Sequence, residues 1–391
     1  MPAGSAAVRF EFATATRIVF GPGAVGELGH VVAPLARRAL LVTGRSVARA
    51  APAQKALTAA GLDIVPFSTE GEPTVDDVRR GVNTARDEGV DVVVACGGGS
   101  AIDAGKAVAA LLGNGGDPLD YLEVVGGGKA ITRRSLYFVA IPTTAGTGSE
   151  VTRNAVLASP EHGVKASLRS PLILARVAIV DPDLLVGLPP HVVAASGLDA
   201  FAQLVEPFVS VRANPLVDGL CREGLARSAR SLRRAFEGDA AEAVRVDLAL
   251  ASLFGGLALA NAGLGAVHGF AAPIGGLFHA PHGAACAALL PAVLRVNLRA
   301  LRQRREQSPA LARYREIAAI VTGQPDAEAD DGVAWVEALV RALGVPGLTQ
   351  WGVGEADVSR LVAKARSARS MKGNPIELAD AELAEILRAS L

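Results

Sequence analysis

The first half of the chain alternates short apolar runs with amphipathic stretches. Ala39–Thr43, 63–67, Asp91–Ala95 and Ser135–Ile141 suit buried strands, and 24–36, 47–60, 74–88 and 101–112 suit helices between them. Phe10–Phe20 (FEFATATRIVF) reads as two short strands around a polar turn, closed by Gly21, Pro22 and Gly23. Strands that alternate with helices imply a parallel sheet covered on both faces. The pattern changes near Pro190. Long Ala- and Leu-rich segments then repeat with helical period over 191–209, 214–236, 241–262, 265–277, 283–298, 310–322, 329–343, 355–368 and 379–389, with no strand signal. The expected fold is an N-terminal α/β domain (1–186) with a mostly parallel sheet, followed by an all-α C-terminal domain (187–391). Residues 1–9 are expected to be disordered.

Composition narrows the partners. The 391 residues carry 39 basic and 39 acidic side chains, so no net charge draws the chain to nucleic acid or an anionic membrane. Cys96, Cys221 and Cys286 are too few and too scattered for a disulfide framework, and their apolar neighbours point to buried free thiols. No basic stretch leads into an apolar leader, and no uninterrupted apolar run approaches the ~20 residues that span a bilayer. The expectation is a soluble cytoplasmic protein.

Two loops carry candidate chemistry. Ala95–Lys106 (ACGGGSAIDAGK) follows an expected strand and opens a helix. Its three glycines let backbone approach an anion that the first helical N–H groups face. That context suits a dinucleotide pyrophosphate, although the spacing is neither G-x-G-x-x-G nor a Walker A loop. A glycine turn that only reverses the chain is the other reading. Ile141–Thr152 (IPTTAGTGSEVT) also follows a strand; its hydroxyls suit a ribose, a phosphate or a carboxamide, or else cap a helix. Two such loops at strand C-termini point to a ligand crevice.

The second half supplies metal-ligand chemistry. Val267–Pro291 holds three of the six histidines, His268, His279 and His282. His268 and His282 are 14 residues apart, with Pro273, Gly275, Gly276 and Pro281 between them to let the chain turn. Upstream, Asp199 and Gln203 lie one helical turn apart on one face. Imidazole nitrogen and carboxylate oxygen suit Zn2+ or Fe2+, and a metal with an open position polarises a carbonyl.

GGGSAID, PTTAGTGSEVT, VDP (180–182), SGLDA (196–200) and HAPHG (279–283) resemble, in order and spacing, the iron-containing (group III) alcohol dehydrogenase family, over a span from Phe10 to MKGNPIEL (371–378). The resemblance implies a dinucleotide-binding N-terminal domain, a helical C-terminal domain and a cleft between them. It implies that Gly98, Gly99, Ser100 and Asp103 contact the pyrophosphate and nicotinamide side. Thr143, Thr144, Thr147 and Ser149 would line the cofactor cleft, with Lys165 near the nicotinamide ribose. Asp199, His268, His282 and the residue at 203 would hold the metal, and a homodimer or larger homo-oligomer is implied.

Three departures bear on this. Gln203 stands where the family has His; it is a weaker fourth ligand, a support behind a three-ligand site, or the mark of a lost metal. Ala272 stands where a second His often helps to move a proton; His279, three residues before His282, is the candidate replacement, or else a packed or surface residue. Gly44, followed by Arg45, stands where many members carry an Asp that binds the adenosine ribose. Without that carboxylate a 2′-phosphate is not repelled and Arg45 can pair with it, so NADP is expected to be accepted as well as NAD; Arg45 as a solvated loop residue is the other reading.

The expected reaction is reversible hydride transfer between NAD or NADP and an alcohol, aldehyde or keto acid, with Fe2+ or Zn2+. The pocket is expected to be mostly apolar, because Phe201, Phe254, Phe270 and Phe278 flank its motifs. The alternative is a maleylacetate reductase-like reductase of a carboxylated substrate, with or without a metal; it needs cations, of which Arg153 is one candidate. A lyase of the dehydroquinate-synthase type lacks a Lys/Arg cluster for its substrate, and the two cofactor loops argue against a non-enzymatic binding protein.

Overall fold

The computed structural model describes residues 9–391. Nearly all of the segment expected to be disordered, residues 1–8 of 1–9, lies outside the described residues. The α/β half runs β1 (Arg17–Phe20), α1 (Leu28–Val32), β2 (Arg38–Thr43), α2 (Ala51–Ala59), β3 (Asp63–Ser68), α3 (Val75–Asp87), β4 (Val92–Gly97), α4 (Gly99–Asn114), α5 (Pro118–Tyr121), β5 (Tyr137–Pro142), β6 (Asn154–Ser159), β7 (Val164–Arg169) and β8 (Val177–Val180). The helical half runs α6 (Pro190–Val209), α7 (Pro215–Phe236), α8 (Glu242–Ala262), α9 (Ala266–Phe278), α10 (His282–Arg304), α11 (Pro309–Thr322), α12 (Ala329–Ala342), α13 (Val358–Ser367) and α14 (Asp380–Ala389).

Six strands form one sheet in the order β1-β8-β5-β4-β2-β3, with every pairing parallel. Successive strand residues enter opposite cores, as a period of two requires. Leu40, Val42, Val93, Ala95, Phe138 and Ala140 pack on one face. Leu41, Val92, Val94, Val139 and Ile141 pack on the other. Both faces are buried, which is why these strands read as continuous apolar runs. A third core fills the helical half around Phe201, Phe208 and Phe270.

Several expectations are corrected. Phe10–Phe20 forms one strand, not two. Its first part has no strand partner, because the side chain of Asn261 on α8 bonds the Ala13 backbone N–H at 2.7 Å and its C=O at 3.0 Å. The helix expected over 24–36 is a 3-10 turn, Ala24–Glu27, and then α1, which stops before Pro34. Strand β8 and the antiparallel β6–β7 hairpin were not expected. Helices α6, α8 and α10 are each long and apolar enough to cross a membrane, but most of each apolar window is buried within the fold.

The site lies where the halves meet. The loops after β2, β4 and β5 emerge side by side, because those strands are neighbours in the sheet. The loop after β5 also touches α8. Gly148 has φ +57°, and a Cβ there would lie 2.3 Å from the Gly256 Cα, so only two glycines permit this approach.

Candidate active site

Three helices bring the metal-ligand candidates together. On α6, Asp199, Gln203 and Glu206 share one face over two turns. Helix α9 presents His268 in its first turn, and α10 presents His282 and Cys286 one turn apart. The start of α10 packs tightly on α6, since a Cβ on Gly283 would lie 2.5 Å from the Ala195 carbonyl oxygen. Asp199 Oδ1 is 3.2 Å from His268 Nε2 and 3.6 Å from His282 Nε2. Cys286 Sγ is 3.7 Å from His282 Nε2 and lies within 4.8 Å of donor atoms of Asp199 and His268. One donor atom from each of these four residues lies within 4.8 Å of the others.

Glu206 backs the cluster. One of its oxygens accepts from the Val267 N–H at 2.7 Å, and the other faces His268 Nδ1 at 2.7 Å. A carboxylate at Nδ1 holds a proton there, so Nε2 donates to Asp199 when the ring is protonated and offers its lone pair to a metal when the ring is neutral. Burial opposes charge on His268, but Cys286, Asp199 and Glu206 hold its pKa well above the ordinary value. Cys286, with Asp199 adding, pushes His282 up to about 9 against burial. Burial alone would raise the Asp199 pKa, yet His282 and His268 hold it below the ordinary carboxylate range. The donor set thus favours positive charge among its members, and oxygen, nitrogen and sulfur donors at this spacing fit a divalent cation. Gln203 is buried beside them, and its Oε1 has no hydrogen-bond partner.

His268, His282 and Gln203 line a cleft of about 720 Å³ whose other wall includes Gly99, Ser100, Asp103, Thr147, Ser149 and Lys165. No side chain caps the first turn of α4, so its N–H groups are free for an anion. Gly44, Gly98, Thr143 and Thr144 do not line this cleft. They form the adjoining crest, where the Thr143 N–H bonds the Gly97 carbonyl at 2.9 Å and Thr144 packs on Gly98. Asp103 has internal partners: the Ser149 hydroxyl donates to it and the Val156 N–H donates at 3.0 Å. Burial raises its pKa against the pull of Lys106. Lys106 is fully buried and donates to the Ser149 carbonyl (2.7 Å), Thr152 Oγ1 (3.0 Å) and the Asn154 carbonyl (2.7 Å). Asp103 and Ser149 therefore tie α4 to the second loop as well as facing the cleft. Lys165 Nζ is 2.6 Å from Glu72.

Two expectations fail here. His279 is exposed, has left-handed φ 54°, and lines neither the cleft nor the cluster. The helical turn that would align it with His282 does not form, because α9 ends at Phe278 and Pro281 precedes α10. The cleft is also mixed in character and takes none of the four phenylalanines expected to flank it. Phe201, Phe254, Phe270 and Phe278 pack in or against the helical core, and the cleft takes polar residues from both halves. Cys286 and Glu206 were missed as members of the site. The spacing of Cys286, four residues after His282, was a usable signal; that of Glu206, seven after Asp199, was a weaker one.

Residues 15–182 match the profile described as iron-containing alcohol dehydrogenase, and residues 193–391 match the C-terminal profile of the same family. The chain is 36% identical over 365 residues to a 4-hydroxybutyrate dehydrogenase of Cupriavidus necator, covering 91% of this chain and 92% of the relative. It is 35% identical to a 1,3-propanediol dehydrogenase of Citrobacter freundii, covering 94% and 95%. Among solved structures, a 1,3-propanediol oxidoreductase superposes with a TM-score of 0.90 at 33% identity, covering 98% of this chain and 100% of the other. The chain belongs to the iron-containing alcohol dehydrogenase family and is an oxidoreductase that acts on alcohols.

Proposed function

We propose that the cleft takes an alcohol, or the matching aldehyde, between a nicotinamide cofactor on the glycine and threonine loops and a divalent metal beside α6. The observation that carries this reading is that His268 and His282, clustered with Asp199, open into the same cleft as Gly99, Ser100 and Thr147. When bound, the nicotinamide supplies or accepts the hydride and the metal supplies Lewis acidity toward the substrate oxygen. The chain's own residues position and orient. Asp199, His268 and His282 would hold the metal, with Glu206 fixing the His268 ring. Lys106 and Asp103 lock the second loop against α4. Ala272 is exposed on the cleft wall, so water reaches the place where no imidazole stands. Arg45 is exposed beside Gly44 and has no ion pair among the described residues, which supports NADP acceptance beside NAD.

One observation favours a carboxylated substrate within this class. Arg153, Arg169, Arg212 and Arg369 all line the cleft. Arg153 pairs with Glu11, and Arg169 and Arg369 pair with Glu123. Arg212 has no ion pair among the described residues and is the cation left for a substrate carboxylate.

The test is an oxidation screen with NAD and NADP over 1,3-propanediol, 1-butanol and 4-hydroxybutyrate, with metal analysis of the same protein. His282→Ala should lose turnover and bound metal together. Full activity in metal-free protein would overturn the metal reading, and equal use of 1-butanol and 4-hydroxybutyrate would overturn the carboxylate reading.

A further inference from the structure

We infer that Cys286 is a direct protein ligand of the metal, giving one carboxylate oxygen, two imidazole nitrogens and one thiolate sulfur, a set that favours zinc over ferrous iron. The inference rests on the reading that this cluster holds the metal.

Cys286 is fully buried on α10, one turn after His282, and its neighbours in the site are the other three donors. It has no sulfur partner, since Cys96, Cys221 and Cys286 are all free. A thiol packed for shape alone would face aliphatic side chains; this one faces a carboxylate and two imidazoles within 4.8 Å. Gln203 is the competing donor on α6. Its orphaned Oε1 is pressed toward α8, 3.3 Å from where a Cβ on Gly255 would stand. Charge separates the two donors as well. A coordinating thiol gives up its proton to solvent and binds as an anion, whereas the amide is neutral and the weaker partner for a dication. Sulfur also sets the metal, because thiolate is a soft ligand that selects zinc where oxygen and nitrogen alone discriminate less.

The test is spectroscopic and does not depend on turnover. Metal-free protein is titrated with Co2+. The expected result is one equivalent bound, with a near-ultraviolet thiolate-to-cobalt charge-transfer band. Cys286→Ser should abolish the band and weaken Co2+ binding about tenfold or more. Gln203→Ala and Cys221→Ser should keep the band. In competition, wild-type protein should hold zinc over Fe2+, with the preference reduced in Cys286→Ser. Co2+ bound by wild-type protein without the band overturns Cys286 as ligand while leaving the metal site in place, and needs no variant to fold. No Co2+ uptake by wild-type protein, or uptake unchanged in Asp199→Ala, overturns both.

Discussion

Glu206 Oε2 lies 2.7 Å from His268 Nδ1, and its other oxygen accepts the neighbouring Val267 N–H at 2.7 Å. One buried carboxylate thereby satisfies an orphan donor in the first turn of α9, complements that helix's positive end, and sets the tautomer of the ring in that turn.

Glu206→Gln keeps the shape but removes the charge that holds the proton at Nδ1. The metal dissociation constant should rise roughly 10- to 100-fold, measured by equilibrium dialysis, with an unchanged far-ultraviolet circular dichroism spectrum. An unaltered dissociation constant would show that the contact serves packing alone.

Glu150 sets a pH dependence of stability. It is buried, one of its oxygens has no partner, and burial pushes its pKa from 4.5 up to about 7 despite Lys106 nearby. A carboxyl whose folded pKa is raised binds its proton more tightly when folded. Stability from this group is therefore fullest below pH 4.5 and falls as pH rises to about 7. Above that the cost is roughly 3 kcal/mol. Glu150→Gln should remove this slope between pH 5 and 7 in urea-unfolding series. Parallel curves for variant and wild type would contradict it.

Gly148→Ala adds two penalties, a left-handed backbone at φ +57° and a Cβ 2.3 Å from Gly256. Together they should cost roughly 2–4 kcal/mol and raise KM for the cofactor, because the same loop carries Thr147 and Ser149. Gly163→Ala is the control. It has φ +61° with nothing within 4 Å, so it should cost only the backbone part, about 1 kcal/mol. Equal losses in the two variants would show that the contact with α8 is unimportant.

The alternation of strands and helices, the change near Pro190 and all nine long C-terminal helices were legible because each buries one face or both, and burial leaves a period in the residues. The β6–β7 hairpin was not. Its strands, Asn154–Ser159 and Val164–Arg169, lie outside the main sheet and bury only short alternating sets, Ala155 and Leu157 on one and Ala166 and Leu168 on the other, too brief a period to stand out. The first part of Phe10–Phe20 looked like a strand by composition but is held by Asn261, 248 residues away.

The candidate site divides the same way. Asp199, His268 and His282 could be picked out in sequence, since ligand chemistry needs particular side chains at recurring spacings. The glycine and hydroxyl loops were legible for the same reason, being local strand-to-helix turns. What the tertiary structure alone decided was convergence. It closed α6, α9 and α10 over one another, so that Cys286 joined the histidines and Glu206 backed one of them. It turned His279 out into solvent at the end of α9. It also lined the cleft with arginines from both halves and acids from the sheet half instead of the phenylalanines near the motifs. The physical reason is that donor identity is a property of single residues, whereas the distance between donors on three helices is set by how their apolar faces pack.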